Sequence, residues 1–92
     1  MADQSKKDHD IVLLRKALGM ALVSIRERRG FQQQQVAKEL ETTRGHLSGM
    51  ERGRGDPGLS MMWRLSAVLR VTPVALMREI FKNYRRLKQE QR

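Results

Sequence analysis

Between Thr43 and Gly53 the chain reads TRGHLSGMERG, and its polar side chains are of kinds that can read a polyanion. The Arg44 guanidinium can donate two parallel hydrogen bonds, a geometry that matches O6 and N7 of a guanine edge. His46 and Ser48 can each add a hydrogen bond to a base or a phosphate, although a lone histidine is equally a solvated bystander. Arg52 and Arg54 flank Gly53 and Gly55, in a loop whose flexibility suits contact with phosphate oxygens. Leu47 and Met50 fall on the other side of a helical projection. A short helix capped by Thr43 and stopped by Gly53 therefore turns Arg44, Gly45, His46, Ser48, Gly49 and Arg52 outward.

Other chemistries find little support. The chain has no cysteine, and His9 and His46 stand in no recognisable motif. It has no phosphate-cradling glycine loop and no metal-ligand spacing. No catalytic residue, metal site or cofactor is expected. The formal net charge is +9, from 19 Lys and Arg against 10 Asp and Glu. A chain this basic attracts polyanions, because neutralised phosphates release their condensed counterions. Charge alone does not separate nucleic acid from an anionic membrane. No apolar run approaches the roughly 20 residues of a membrane span, and MADQSKKDHD has no hydrophobic signal segment, so a cytoplasmic protein without membrane contact is expected. Ninety-two residues make one small domain with one modest core.

The elements that must hold Thr43–Arg52 in place are legible from apolar spacing. Val36, Ala37 and Leu40 give the stretch from Gln32 one apolar face, and Glu41-Thr42-Thr43 breaks it. Two short helices over 32–53, joined by three or four residues, have the spacing of a helix-turn-helix, whose second helix enters the DNA major groove. Asp10 can cap a first helix from Ile11 to about Arg29, with a stripe of Ile11, Leu14, Leu18, Leu22 and Ile25, leaving residues 1–9 as a disordered tail. Arg26, Arg28 and Arg29 close that helix where positive charge suits its dipole, and they read equally as a solvated end and, at Arg28, as a phosphate contact. Leu59, Met62, Leu65 and Leu69 form the stripe of a fourth helix, with Trp63 beside it as a partly covered packing residue. Thr72-Pro73 opens a fifth helix, Thr as cap and Pro in the first turn.

The ordered set of these features resembles a known family. Gly30-Phe31-Gln32-Gln33-Gln34-Gln35-Val36-Ala37, the segment Thr42 to Gly53, Asp56-Pro57 and the spaced Leu59, Met62, Leu65, Leu69, Val71 and Leu76 are similar to the Cro/C1-repressor type of helix-turn-helix protein, often called the XRE family. The likeness covers about Leu18 to Ile80. It implies an all-α, five-helix, lambda-repressor-like DNA-binding domain over 10–89, with helices 2 and 3 as the helix-turn-helix and with extended first and last helices. By the same resemblance Gln33 is a helix-opening glutamine that contacts phosphate. Thr43, Arg52, Arg54 and Arg28 complete the expected phosphate contacts, and Arg44, Gly45, His46, Ser48 and Gly49 the expected base contacts. Glu51 matches a buried-edge acid that pairs with a nearby arginine. The chain departs from the pattern at Gln32, a weaker cap than the usual Ser or Thr, and at Glu41 and Arg70, where glycine is common.

Gly45 and Gly49 are a further departure, each costing a helix interior about 1 kcal/mol against alanine. They lie on one side, so they fit very close approach to DNA; modest, shape-driven specificity and packing on another protein are the other two readings. Val74, Met77, Phe81 and Tyr84 widen the apolar arc of the last helix, 73–92, beyond what one small core needs, and they are assigned to a dimer interface, the other reading being that the long first helix covers them within one chain. Lys82, Arg85, Arg86, Lys88 and Arg92 make its end basic, either a solvated face or an extra electrostatic footprint. The function expected is a dimeric, sequence-preferring regulator of transcription, a repressor on a two-half-site operator in double-stranded DNA. An antitoxin or a restriction–modification controller are subtypes of that reading, and another protein partner is compatible with it. The alternative from another class is a protein–protein adaptor that keeps the fold and lacks base reading.

Overall fold

A computed structural model describes residues 4–91, which form five helices and, among these residues, no strand. They are α1 Gln4–Arg28, α2 Gln33–Glu39, α3 Arg44–Glu51, α4 Leu59–Val68 and α5 Pro73–Glu90. The long α1 is the shared support: it packs on α5 along one side and on α3 along another, while α2 lies on α3 and α4 on α5. None of the described helices is long and apolar enough to cross a membrane.

The chain turns where its sequence departs from the usual residues. Gly30 and Gly53 take left-handed backbone, at φ 73° and 82°, and so do Glu41 at φ 59° and Arg70 at φ 61°, although both carry a Cβ that disfavours it. Thr43 and Thr72 cap α3 and α5, their hydroxyls accepting from the amides of His46 and Ala75 at 3.0 Å each. Gln32 precedes α2 without any side-chain cap bond, as its weak capping propensity predicts.

The core joins Leu18, Leu22 and Ile25 of α1 to Val36, Leu40, Leu47, Met50, Leu65, Leu69, Leu76 and Ile80, all essentially buried. Each such side chain contributes about 1.5–3 kcal/mol by leaving water. A different contact sets how closely α1 and α3 approach. Gly19 lies so close to the last turn of α3 that a Cβ there would stand 2.5 Å from the Glu51 carbonyl oxygen and 2.7 Å from that of Met50. Asn83 of α5 donates to the Ala17 carbonyl at 3.2 Å, tying the two long helices together at their middles.

Four expectations need correction. The first helix begins at Gln4, so residues 4–9 are helical instead of a tail; Met1 to Asp3 lie outside the described residues. These first turns of α1 are held by the end of α5: Lys88 Nζ donates to Asp10 Oδ1 at 2.8 Å, and His9 bonds Gln91. Asp10 is therefore an interior ion-pair partner and not a cap. The inward stripe of these turns runs through Leu13 and Ala17, leaving Ile11 and Leu14 exposed, because α5 approaches from the Leu13 side. On α4, Leu59 is 83 % exposed and Trp63 65 %, since this helix turns Leu65, Ser66 and Leu69 inward instead.

Candidate nucleic-acid interface

The outward face of α3 follows from its two inward residues. Leu47 and Met50, three apart, are buried against α1 and α2, which leaves Arg44, Gly45 and His46 exposed in the first turn and Ser48 and Gly49 half-buried in the second. Thr43 is itself exposed beside them. The His46 ring is held from below, its Nδ1 bonded to Thr42 Oγ1 at 2.7 Å, so the imidazole is fixed in orientation. A Cβ at Gly49 would meet nothing within 4 Å, and one at Gly45 only the Thr43 hydroxyl at 4.0 Å. Packing within the chain therefore demands neither glycine, unlike Gly19.

Behind this face runs a chain of charge-assisted hydrogen bonds. Arg26 of α1 grips Glu51 at the end of α3 with both carboxylate oxygens engaged, Nε to Oε2 at 2.6 Å and Nη2 to Oε1 at 3.1 Å. Its remaining terminal nitrogen donates to the Phe31 carbonyl at 2.9 Å. The Glu51 side chain is 4 % exposed, and it also accepts from Gln33 Nε2 at 2.7 Å. Gln33 Oε1 in turn faces Arg44, whose Nε donates to it at 3.4 Å. One buried carboxylate thus binds the end of α1, the start of α2 and the end of α3, and through Gln33 it reaches the first residue of α3. The arginine partner expected for Glu51 is Arg26.

The remaining residues separate into two sets. Arg52 and Arg54 are exposed after α3 and pair with no carboxylate among the described residues, leaving both guanidinium groups open. Arg28 instead pairs with Glu79 of α5, its two terminal nitrogens 3.1 and 3.4 Å from the carboxylate, which draws it toward α5. The apolar arc of α5 leaves Val74, Met77 and Phe81 exposed, Phe81 by 57 %, while Tyr84 is partly buried against the core. Beside Met77, the exposed Ile11 and Leu14 line a shallow apolar groove of about 190 Å³ that Met62 and Pro57 also border.

Spacing missed two contributors. Gly19 sits in a helix interior where glycine is disfavoured, and that cost was its available signal. Arg78 stands four residues before Lys82 and seven before Arg85, a spacing that places all three on one side of α5.

Known proteins resemble this arrangement. The family described as helix-turn-helix matches residues 22–76. Among solved structures, the clp gene regulator ClgR from Corynebacterium glutamicum superposes with a TM-score of 0.80 at 26 % identity, over 85 % of this chain and 83 % of that one. The restriction–modification controller protein C.AhdI from Aeromonas hydrophila does so at 0.64 and 26 %, over 67 % and 94 %. The controller protein C.Esp1396I, as a tetramer in complex with its natural 35 base-pair operator, has the same fold at 0.70 and 21 %, over 77 % and 93 %. No curated protein sequence matches. With its five helices, the Leu47 and Met50 footing of α3 and a match over more than half its length, the chain belongs to the helix-turn-helix family, in its Cro/C1-repressor, or XRE, type.

Proposed function

We propose that this protein is a cytoplasmic DNA-binding regulator of transcription, a repressor that lays α3 in the major groove of each half of a two-half-site operator. The observation that carries the reading is the exposed Arg44 at the head of a helix whose other side is locked into the core, with Gln33 and Glu51 behind it. A guanidinium held at one end in this way is pre-oriented for a guanine edge, so less side-chain entropy is lost on binding. Arg44, Gly45, His46, Ser48 and Gly49 face the bases, the two glycines allowing the helix axis to come close to the groove wall. Gln33, Thr43, Arg52 and Arg54 meet phosphates; Arg28 does so only if it leaves Glu79.

Two copies pair through Val74, Met77, Phe81 and Tyr84, an apolar arc of which one copy leaves the first three exposed and Tyr84 partly buried. Pairing sets the two α3 helices to successive major grooves, about 34 Å apart. The resemblance to ClgR and C.AhdI supports control of transcription, and promoter occlusion needs no domain beyond this one. Selection of bound fragments from random duplex DNA tests the reading. A recovered motif with two-fold symmetry supports it, and recovery of unrelated sequences contradicts base reading.

A further inference from the structure

We propose that the outer stripe of α5, formed by Arg78, Lys82, Arg85 and Arg86, is a second contact for the sugar–phosphate backbone of DNA, made independently of α3. The proposal rests on the DNA-binding reading above.

The stripe is defined by what its charges lack. Arg15, Arg26, Arg28 and Lys88 each pair with a carboxylate within 3.1 Å, whereas the four cations of the stripe are exposed and have no carboxylate partner among the described residues. On a helix of 3.6 residues per turn they fall within an arc of about 100° and span about 12 Å of its length. Mutual repulsion of four cations so close together destabilises the folded chain slightly, and a counter-charge from outside relieves it.

Its position separates it from both surfaces already assigned. The buried arc of α5 holds Leu76, Ile80 and Leu87 against α1. Going round the helix one way from that arc come Tyr84, Met77, Phe81 and Val74, and going the other way Glu79, then Arg86, Lys82, Arg78 and Arg85. Covering the apolar arc with a second copy therefore leaves Arg78, Lys82 and Arg86 facing solvent, with Arg85 at the border over Phe81. The Arg28–Glu79 pair marks its inner border, and α1 is the helix on which both α3 and α5 pack.

The character of the stripe selects the kind of anion. A protein-docking surface needs an apolar, charge-depleted centre. The stripe has none, for Phe81 lies at its edge with the Arg85 guanidinium 5.8 Å from its ring centroid. A convex row of cations suits a partner with closely spaced charges and little demand on shape. Duplex DNA presents a charge about every 1.7 Å along its axis, so a 12 Å row meets more phosphates than it has cations. Structure also redraws the basic end of the chain. Lys88 leaves it, because it is committed to Asp10, and Arg78 joins it.

The experiment is fluorescence anisotropy of random-sequence duplex DNA with the full chain at 50 and 200 mM salt. It compares wild type with the variant Arg78→Gln, Lys82→Gln, Arg85→Gln, Arg86→Gln, with circular dichroism to confirm helix content. Four fewer phosphate contacts make the variant's affinity fall roughly 100-fold less across that salt range. The milder Lys82→Gln, Arg86→Gln variant shows a difference of about 10-fold and serves if the quadruple variant does not fold. Arg44→Ala keeps the full α5-dependent loss. Equal salt loss in wild type and a folded variant overturns the proposal and leaves the reading of α3 intact. Failure of wild type to bind any duplex overturns both. Unchanged salt loss on DNA, together with lost binding of the variant to polyglutamate, assigns the stripe to an acidic protein and overturns the proposal as well.

Discussion

Arg26 and Glu51, twenty-five residues apart, meet through both carboxylate oxygens and close the site from behind, at 2.6 and 3.1 Å. Removing one partner of a buried pair strands the other. Glu51→Ala is expected to cost about 3–5 kcal/mol of stability in urea denaturation. Replacing both together, Arg26→Met with Glu51→Leu, is expected to recover most of that loss. A small effect of Glu51→Ala would show that water already screens the pair.

Gln33 touches Glu51 with its amide nitrogen and Arg44 with its oxygen, so its effect on DNA is expected to depend on Arg44. Arg44→Ala should relax preference at one base pair and cost about 1–3 kcal/mol on the selected site. Gln33→Ala should weaken binding to every sequence, and on the selected site the two losses should be non-additive by 0.5 kcal/mol or more, roughly the threshold for contacting residues. Strict additivity in a double-mutant cycle would reduce Gln33 to a phosphate contact.

Two glycines in helices are expected to answer alanine in opposite ways. Gly19→Ala drives a methyl group into the carbonyls of Met50 and Glu51 and should destabilise by about 1–3 kcal/mol or more, shifting the thermal midpoint down. Gly49→Ala has open space and should stabilise the free protein by up to about 1 kcal/mol. If the groove wall comes close at Gly49, the same variant binds DNA more weakly; unchanged affinity would leave the glycine without a role in docking.

Phe81→Asp places a charge in the exposed apolar arc of α5. The expected product is folded, with wild-type helix content by circular dichroism, and monomeric in sedimentation. An unfolded product would move Phe81 into the core of a single chain, against its exposure here.

Much of the helix-turn-helix was legible because local chemistry fixes it. Thr43 caps, Gly53 stops, and Glu41 stands in a turn that needs left-handed backbone whichever residue occupies it. Periodicity was less informative about how far a neighbour reaches. Ile11, Leu14 and Leu59 all have helical spacing, yet among the described residues none of the three is buried. The outer turns of α1 were hidden for a related reason: what holds them is Asp10 against Lys88, a pairing across seventy-eight residues that spacing does not encode. The same holds for Arg28, whose partner Glu79 lies on another helix fifty-one residues away.

Gly19 and Asn83 both seat their neighbours on the one unbroken helix α1, the first against α3 and the second against the Ala17 carbonyl. On the reading proposed above, the pairing element α5 and the reading head α3 therefore share a single beam, α1, with no joint between them. A dimer built on such beams has a fixed stride along its operator. Inserting one base pair between the half-sites moves one of them by about 3.4 Å and turns it by about a tenth of a revolution, and the protein has no hinge in α1 with which to follow.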